Sequence, residues 1–333
     1  MSIPSNADRA PEAASEAREL LVRERRILAE GVMALQLTPA DGSPLPRWEP
    51  GAHIEVVLPS GLIRHYSLCG DPADRRSHTI AVLRERDGRG GSHEVHELLH
   101  EGSVLQVSDP RNHFRLVDAD RYLFIAGGIG ITPILSMIRA VQGQGSAWQL
   151  VYGGRTRHSM AFLDEIGRFP QSAVEIFTDD ETGYPDIDAV IKSAAPGTAV
   201  YTCGPPGLLR TVEASCSDLP PSSSLHVERF SAGDPAQPAQ ATAATTAIDV
   251  ELRRTGTVLR VEPPQTILDA VLDVAPGVAY SCQEGYCGSC ETTVLDGVPL
   301  HRDTVLSDEE ADSGRTMMIC TGWSRTPRLV LDL

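Results

Sequence analysis

Over residues 18–115 the apolar residues fall in short runs broken by Gly and Pro turns. GAHIEVVLP, HTIAVLRE and SVLQVSDP each read as a strand, and their close spacing predicts an antiparallel β-barrel. From RYLFIAGG onward the rhythm lengthens. YLFIAGG is followed by PILSMIRAVQ, WQLVYGG by MAFLDEIGRF, and TAVYTCGP by GLLRTVEAS, so strand patterns alternate with helical ones across residues 116–230. That alternation predicts a parallel α/β sheet. Residues 231–247, SAGDPAQPAQATAATTA, carry small residues, Pro and Gln without apolar period and read as a linker. In residues 248–333 TILDAVLD reads as a short amphipathic helix, and TTVLDG and RLVLDL read as strands, giving a small α+β unit. Residues 1–17 lack an apolar core and read as a frayed tail rather than a secretory leader.

Composition narrows the class without naming it. The 333 residues are 41% hydrophobic and 22% charged, with no apolar run long enough to span a bilayer. The expectation is a cytoplasmic chain with reduced thiols. A net charge of −16 argues against nucleic acid as a partner and otherwise reads as solubility.

Three of the seven cysteines crowd into SCQEGYCGSC, spaced Cys282-x4-Cys287-x2-Cys290, with Cys320 after a long gap. The spacing resembles that of plant-type ferredoxins, whose four thiolates hold a [2Fe–2S] cluster. Gly285 and Gly288 let backbone N–H groups approach sulfur. Zinc and a disulfide are the alternatives, but zinc sites more often show two separated C-x2-C pairs or include histidine. Ser307 and Glu310 are expected to form a capping box rather than part of a docking patch.

AGGIGITP, residues 126–133, joins an apolar strand to a helix. Gly127, Gly128 and Gly130 permit a tight turn, Thr132 suits an N-cap and Pro133 a first helical position. A helix start there favours a dinucleotide pyrophosphate, while a ligand-free strand-to-helix turn is the alternative. The next strand ends in YGGRTR, where Arg155 and Arg157 would meet a 2′-phosphate, stack on adenine, or stand in solvent. RHYSLCG supplies Arg64 and Tyr66 on one strand face with Ser67 beside them, and RERDGRGGS supplies Arg84, Gly90, Gly91 and Ser92 in a Gly-rich turn suited to a phosphate monoester. Taken singly, these are also consistent with a surface strand and a hairpin turn.

Together these motifs resemble the ferredoxin–NADP reductase superfamily, and within it the phthalate dioxygenase reductase and vanillate demethylase reductase family. The likeness runs from about residue 18 to the end, in RHYSL, GGIGITP, YTCGPPGLL and the four cysteines. It implies a multidomain chain: an antiparallel flavin barrel, an α/β NAD domain and a β-grasp ferredoxin domain. By matched position, Arg64 and Gly90–Ser92 would hold the flavin phosphate, with Arg84 as a helper. Tyr66 and Ser67 would line the isoalloxazine, and Phe230 would flank it. Gly128, Gly130 and Thr132 would cradle the NAD pyrophosphate, while Cys203, Gly204 and Pro205 would border the nicotinamide. Cys282, Cys287, Cys290 and Cys320 would ligate the cluster. Cys69 and Cys216 match no cluster position and read as packing cysteines. A buried strand-end thiol is the alternative reading of Cys203.

The family implies FMN rather than FAD, and NADH ahead of NADPH, although Arg155 leaves NADPH open. It implies hydride transfer to the flavin followed by single-electron passage through the cluster, without a general acid or base. Ser67, Cys203 and Phe230 would be closest to the reacting atoms. The acceptor expected is a Rieske-type aromatic oxygenase or demethylase, with a haem–thiolate monooxygenase as the alternative, and the chain is expected to be a monomer without membrane or nucleic-acid contacts. A non-enzymatic iron–sulfur sensor and a zinc-stabilised scaffold are the readings from other classes.

Overall fold

A computed structural model describes residues 17–85, 90–217, 219–220, 222–230, 246–280, 283, 285, 288–303, 305–306 and 308–333. The linker core at residues 231–245, Cys282, Cys287 and Ser307 lie outside them, and with Ser307 the expected capping box.

Six antiparallel strands form the first unit: β1 (Arg18–Ala29), β2 (Val32–Pro39), β3 (His53–Val57), β4 (Ile63–Ser67), β5 (His78–Leu83) and β6 (Val104–Val107), in the order β4-β3-β6-β1-β2-β5. Beyond β4 the chain bends back, and Cys69 N–H donates to Thr79 C=O of β5 at 2.9 Å, drawing the two edges of the sheet together as a barrel requires. Inward residues Leu20, Leu35, Leu37, Ile54 and Ile80 are completely buried. The expected Gly-rich turn instead leads directly into a helix, α1 (Gly91–Leu98), with Gly90 at φ +86° just before it. Only a residue without Cβ adopts that backbone readily.

The second unit is an all-parallel sheet. Its strands are β7 (Arg121–Gly127), β8 (Ala147–Gly154), β9 (Val174–Thr178), β10 (Thr198–Cys203) and β11 (Ser224–Glu228), ordered β11-β10-β7-β8-β9. Helices α2 (Ile131–Gln144), α3 (Leu163–Ile166), α4 (Ile187–Ser193) and α5 (Pro206–Ser215) connect them. Two expectations change here. MAFLDEIGRF yields only one helical turn, because Phe162 sits at φ 64° and prevents an earlier start. Helix α2 begins at Ile131, not Pro133, because a 3-10 turn over Gly128–Gly130 runs straight into it. Thr132 is therefore inside the helix and no N-cap; its hydroxyl donates to Ile129 C=O at 3.0 Å.

The third unit builds a mixed sheet from β12 (Ile248–Leu252), β13 (Thr257–Val261), β14 (Glu291–Asp296), β16 (Thr316–Met318) and β18 (Arg328–Leu331) in the order β13-β12-β18-β14-β16. The short pair β15 (Pro299–Leu300) and β17 (Trp323–Ser324) stands beside it. Helix α6 (Ile267–Leu272) is fixed at its start by a capping box between Thr266 and Asp269, and α7 (Asp308–Ser313) precedes β16.

Barrel and parallel sheet share one core. Val32, Cys69, Ala81 and Phe114 pack with Phe124, Ile134, Met137 and Tyr201. Arg139 of α2 donates to the carbonyls of Cys69 and Gly70 at 2.5 and 2.6 Å and pairs with Glu165. Tyr201 joins the same seam, donating to Arg115 C=O and accepting from Val117 N–H. A guanidinium pinned at three points fixes the angle between the units, and with it the cavity they enclose.

Candidate active site

Strand β4 alternates its side chains so that Arg64 and Tyr66 share a face. That face looks into a cavity of about 280 Å³, lined also by Ser67, Gly91, Ser92, Ile129, Thr132, Glu228, Phe230 and Val305. Barrel, parallel sheet and C-terminal unit therefore all reach one space. Gly91 lies so close to the Arg64 guanidinium that a Cβ there would stand 2.5 Å from Nε, so the glycine keeps the arginine beside the N-terminus of α1. A helix start and a guanidinium at one mouth suit a phosphate monoester. Burial pushes the Tyr66 phenol well up, so it stays neutral. Phe230, 37% exposed, lines the same cavity.

Arg84 is not brought to this cavity. Its guanidinium pairs with Glu97 at 2.8 Å on α1, one turn beyond the residues it was expected to help. Arg155 is exposed and stands apart as well, and Arg157 pairs with Glu181.

The turn after β7 is built for close approach. A Cβ on Gly130 would collide with the Cys203 carbonyl, and one on Gly204 would stand 2.9 Å from Gly127 N. Two strand ends thus meet backbone to backbone at the carboxyl edge of the sheet, where α/β folds bind nucleotides. Helix α2 carries no acidic residue in its first turn, so its positive end is uncompensated. Tyr152 holds the turn from below, with its hydroxyl 3.2 Å from the carbonyls of both Gly128 and Ala161. Pro205 caps α5 from outside and packs on Gly127.

Cys203 is completely buried, and its register partner on β11 is Glu228. Burial, reinforced by Glu228, pushes the thiol well up, so it is not a thiolate. Glu228 itself is the residue that motif reading missed. Burial raises its carboxyl to about 8, and Oε2 has no hydrogen-bond partner although the residue lines the cavity. A neutral carboxylic acid in a cavity wall holds a proton it can donate as a hydrogen bond. Its only sequence signal is an acid two residues before Phe230 in HVERF. His53 is a second orphan: its Nε2 lacks a partner, and burial holds the ring well below its ordinary pKa.

Cys290 and Cys320 are both buried, and Ile319 N–H reaching Cys290 C=O at 3.4 Å joins their segments. Three of the four described residues between Cys282 and Cys290, namely Gln283, Gly285 and Gly288, have positive φ, at 56°, 75° and 78°. Left-handed backbone at such positions lets a loop turn N–H groups inward, as holding a sulfur cluster requires. Cys69 and Cys216 are buried thiols raised by burial to about 12 and about 11, as packing cysteines should be.

A family model described as a 2Fe-2S iron-sulfur cluster binding domain matches residues 250–322, and one described as an oxidoreductase NAD-binding domain matches residues 124–214. Phenoxybenzoate dioxygenase subunit beta of Ectopseudomonas oleovorans is 41% identical over 306 residues, 92% of this chain and 94% of that protein. Phthalate dioxygenase reductase of Burkholderia cepacia is 37% identical over 319 residues, 94% of this chain and 97% of that protein. The chain belongs to the phthalate dioxygenase reductase family. A solved phthalate dioxygenase reductase superposes with a TM-score of 0.70 at 36% identity, covering 95% of this chain and 98% of that one. An intact type IV self-sufficient cytochrome P450 monooxygenase gives 0.85 at 38% identity over 98% of this chain, which spans only 43% of that protein's length. The family assignment makes the chain an oxidoreductase with an NAD-binding and a [2Fe–2S] unit. Among the described residues no helix is long and apolar enough to cross a membrane.

Proposed function

We propose that this chain is the reductase component of a multicomponent oxygenase, drawing electrons from NADH through FMN and a [2Fe–2S] cluster to a Rieske-type aromatic oxygenase or O-demethylase. One observation carries the reading: a single cavity is lined by Arg64, Tyr66 and Ser92 of the barrel, by Thr132 and Phe230 of the nucleotide unit, and by Val305 of the C-terminal unit. FMN, when bound, accepts hydride from NADH as an electron pair and releases the electrons singly to the cluster.

The chain's own residues place and shield these groups. Arg64 and the start of α1 would hold the flavin phosphate at the cavity mouth. Gly128 and Gly130 would seat the pyrophosphate at the start of α2, and Cys203, Gly204 and Pro205 would border the nicotinamide. Glu228, raised to about 8, would present a protonated carboxyl to the cavity and donate a hydrogen bond there. Ser67, only 6% exposed, offers a hydroxyl to the flavin edge, and Phe230 keeps water from it. Cys290 and Cys320 supply two cluster thiolates, with Cys282 and Cys287 completing the four. Domain divisions at 115/116 and 230/231 and a linker to residue 247 fit this assignment. A cytoplasmic monomer is the setting in which these thiols stay reduced.

Anaerobic titration with NADH and with NADPH, followed by flavin extraction, tests the reading. Bleaching of flavin and cluster bands by NADH at lower concentration than NADPH, with FMN released, is the expected result. A preparation that binds neither flavin nor iron overturns it. The likeness to the self-sufficient P450 favours a second reading, in which the acceptor is a haem–thiolate monooxygenase; reduction of a Rieske protein but not of a P450 decides between them.

A further inference from the structure

The cysteine loop meets the barrel at Ser289. Its hydroxyl donates to Glu55 Oε1 at 2.8 Å and lies 3.0 Å from His65 Nε2. Glu55 and His65 are cross-strand partners on the β3–β4 hairpin, so both stand on the strands that carry Ile54, Arg64 and Tyr66. Arg111 completes the group from the chain after β6, with its Nη1 3.0 Å from Glu55 Oε1. Its backbone exchanges both hydrogen bonds with His53, at 2.8 and 2.9 Å. The side chains of His65, Glu55 and Arg111 are 14%, 18% and 26% exposed, so this is a half-buried polar nest and not a rim contact. On the other side of the loop, His113 Nε2 stands 3.5 Å from the place a Gly288 Cβ would take, an ordinary packing distance, and the φ of 78° at Gly288 is the backbone that favours glycine there.

We propose that Glu55, His65 and Arg111 form a docking cradle for the C-terminal unit, with Ser289 as its key. These are positioning residues that set how the cluster lies against the flavin. The inference rests on the reductase reading above. Ser289 immediately precedes Cys290, and His65 lies between Arg64 and Tyr66 in the chain. A hydrogen bond between these two points therefore fixes the cluster loop against the flavin strand with almost no intervening chain. Side chains held this way act through geometry, and one-electron transfer falls steeply with separation. Arg111 pairs with the same Glu55 oxygen that accepts from Ser289, so guanidinium, carboxylate and hydroxyl form one charge-assisted cluster. A hydrogen bond to a charged group is strong enough to favour the docked arrangement and weak enough to release it, as a unit serving an external acceptor requires.

The test uses the full chain loaded with flavin and cluster, as wild type and as Ser289→Ala, Glu55→Ala and Ser289→Thr. X-ray scattering gives the radius of gyration, and stopped-flow absorbance separates flavin reduction by NADH from cluster reduction. The alanine variants are expected to show a larger radius of gyration and cluster reduction about tenfold slower, with flavin reduction unchanged. Ser289→Thr, which keeps the hydroxyl, tracks the wild type in both. Wild-type scattering and wild-type cluster reduction in a fully loaded Ser289→Ala protein overturn the cradle, as does equal slowing of both redox steps. Absence of flavin and iron from the wild-type protein itself strikes the reductase reading instead, and the scattering comparison still decides whether the units dock at Ser289.

Discussion

Cys203 and Glu228 stand side by side as the last register pair of β10 and β11, a fully buried thiol and a half-buried carboxyl at the carboxyl edge of the sheet. Burial raises the Glu228 carboxyl from 4.5 to about 8. An acid whose folded pKa is raised binds more protons folded than unfolded, so its contribution to stability is full below 4.5 and is lost as pH climbs to about 8. Chemical denaturation of the wild type should thus show stability falling between pH 5 and 8, and Glu228→Gln should flatten that part of the profile. Flavin reduction by NADH should likewise fall in the wild type as pH passes about 8, while the Gln variant, permanently neutral, loses this step. Stopped-flow traces across pH 6–9 check the sign.

Gly130 has no room for a side chain beneath the Cys203 carbonyl. Because the obstacle is backbone on a central strand, it cannot rotate away. Gly130→Ala should destabilise the protein by about 1–3 kcal/mol and raise the KM for NADH more than it lowers kcat. Thermal unfolding and steady-state kinetics measure the two effects. Gly143, where nothing lies within 4 Å of a new Cβ, is the control: Gly143→Ala should leave the KM unchanged.

Local pattern carried most of the architecture, and distance along the chain decided what it left out. RHYS placed Arg64 and Tyr66 on one strand face because strand period is local, and both line the cavity. Arg84 stands near the same turn in sequence, but once α1 forms, Glu97 one turn on captures it. Thr132 and Pro133 carry strong helix-start preferences, yet the 3-10 turn ahead of them moves the boundary to Ile131, since ordering of the glycines outweighs a capping preference. Glu228 and the Glu55–Ser289 contact had no such signal. The first acquires its character from burial against a strand 25 positions away in sequence, and the second joins residues 234 apart.

Removing iron should divide the reaction in two. Cys290→Ser and Cys320→Ser each withdraw a buried thiolate, so both variants should lose the cluster's visible bands and most of their iron. Flavin reduction by NADH should proceed at close to the wild-type rate, because Arg64, Thr132 and Phe230 are untouched. Reduction of a one-electron acceptor protein should fall at least about a hundredfold, which iron assay and acceptor kinetics on the same preparations establish.

Arg64 is the residue on which flavin retention turns. Its guanidinium lies against Gly91 at the start of α1, where one charged donor and the helix's own N–H groups converge. A charge-assisted hydrogen bond to a phosphate is worth about 1.5–3 kcal/mol, so Arg64→Ala should weaken FMN binding by about ten- to a hundredfold. Riboflavin has no phosphate, so the same substitution should change its affinity little. Arg64→Lys should recover only part of the loss, because an ammonium keeps the charge without the planar fork. Arg84→Ala is the discriminating comparison. Its partner is Glu97, so it should leave FMN affinity within about twofold of the wild type. Fluorescence titration of the flavin-free protein with FMN and with riboflavin reads all four quantities, and an Arg64→Ala protein that loses affinity equally for both ligands would show that Arg64 holds the ring's surroundings rather than the phosphate.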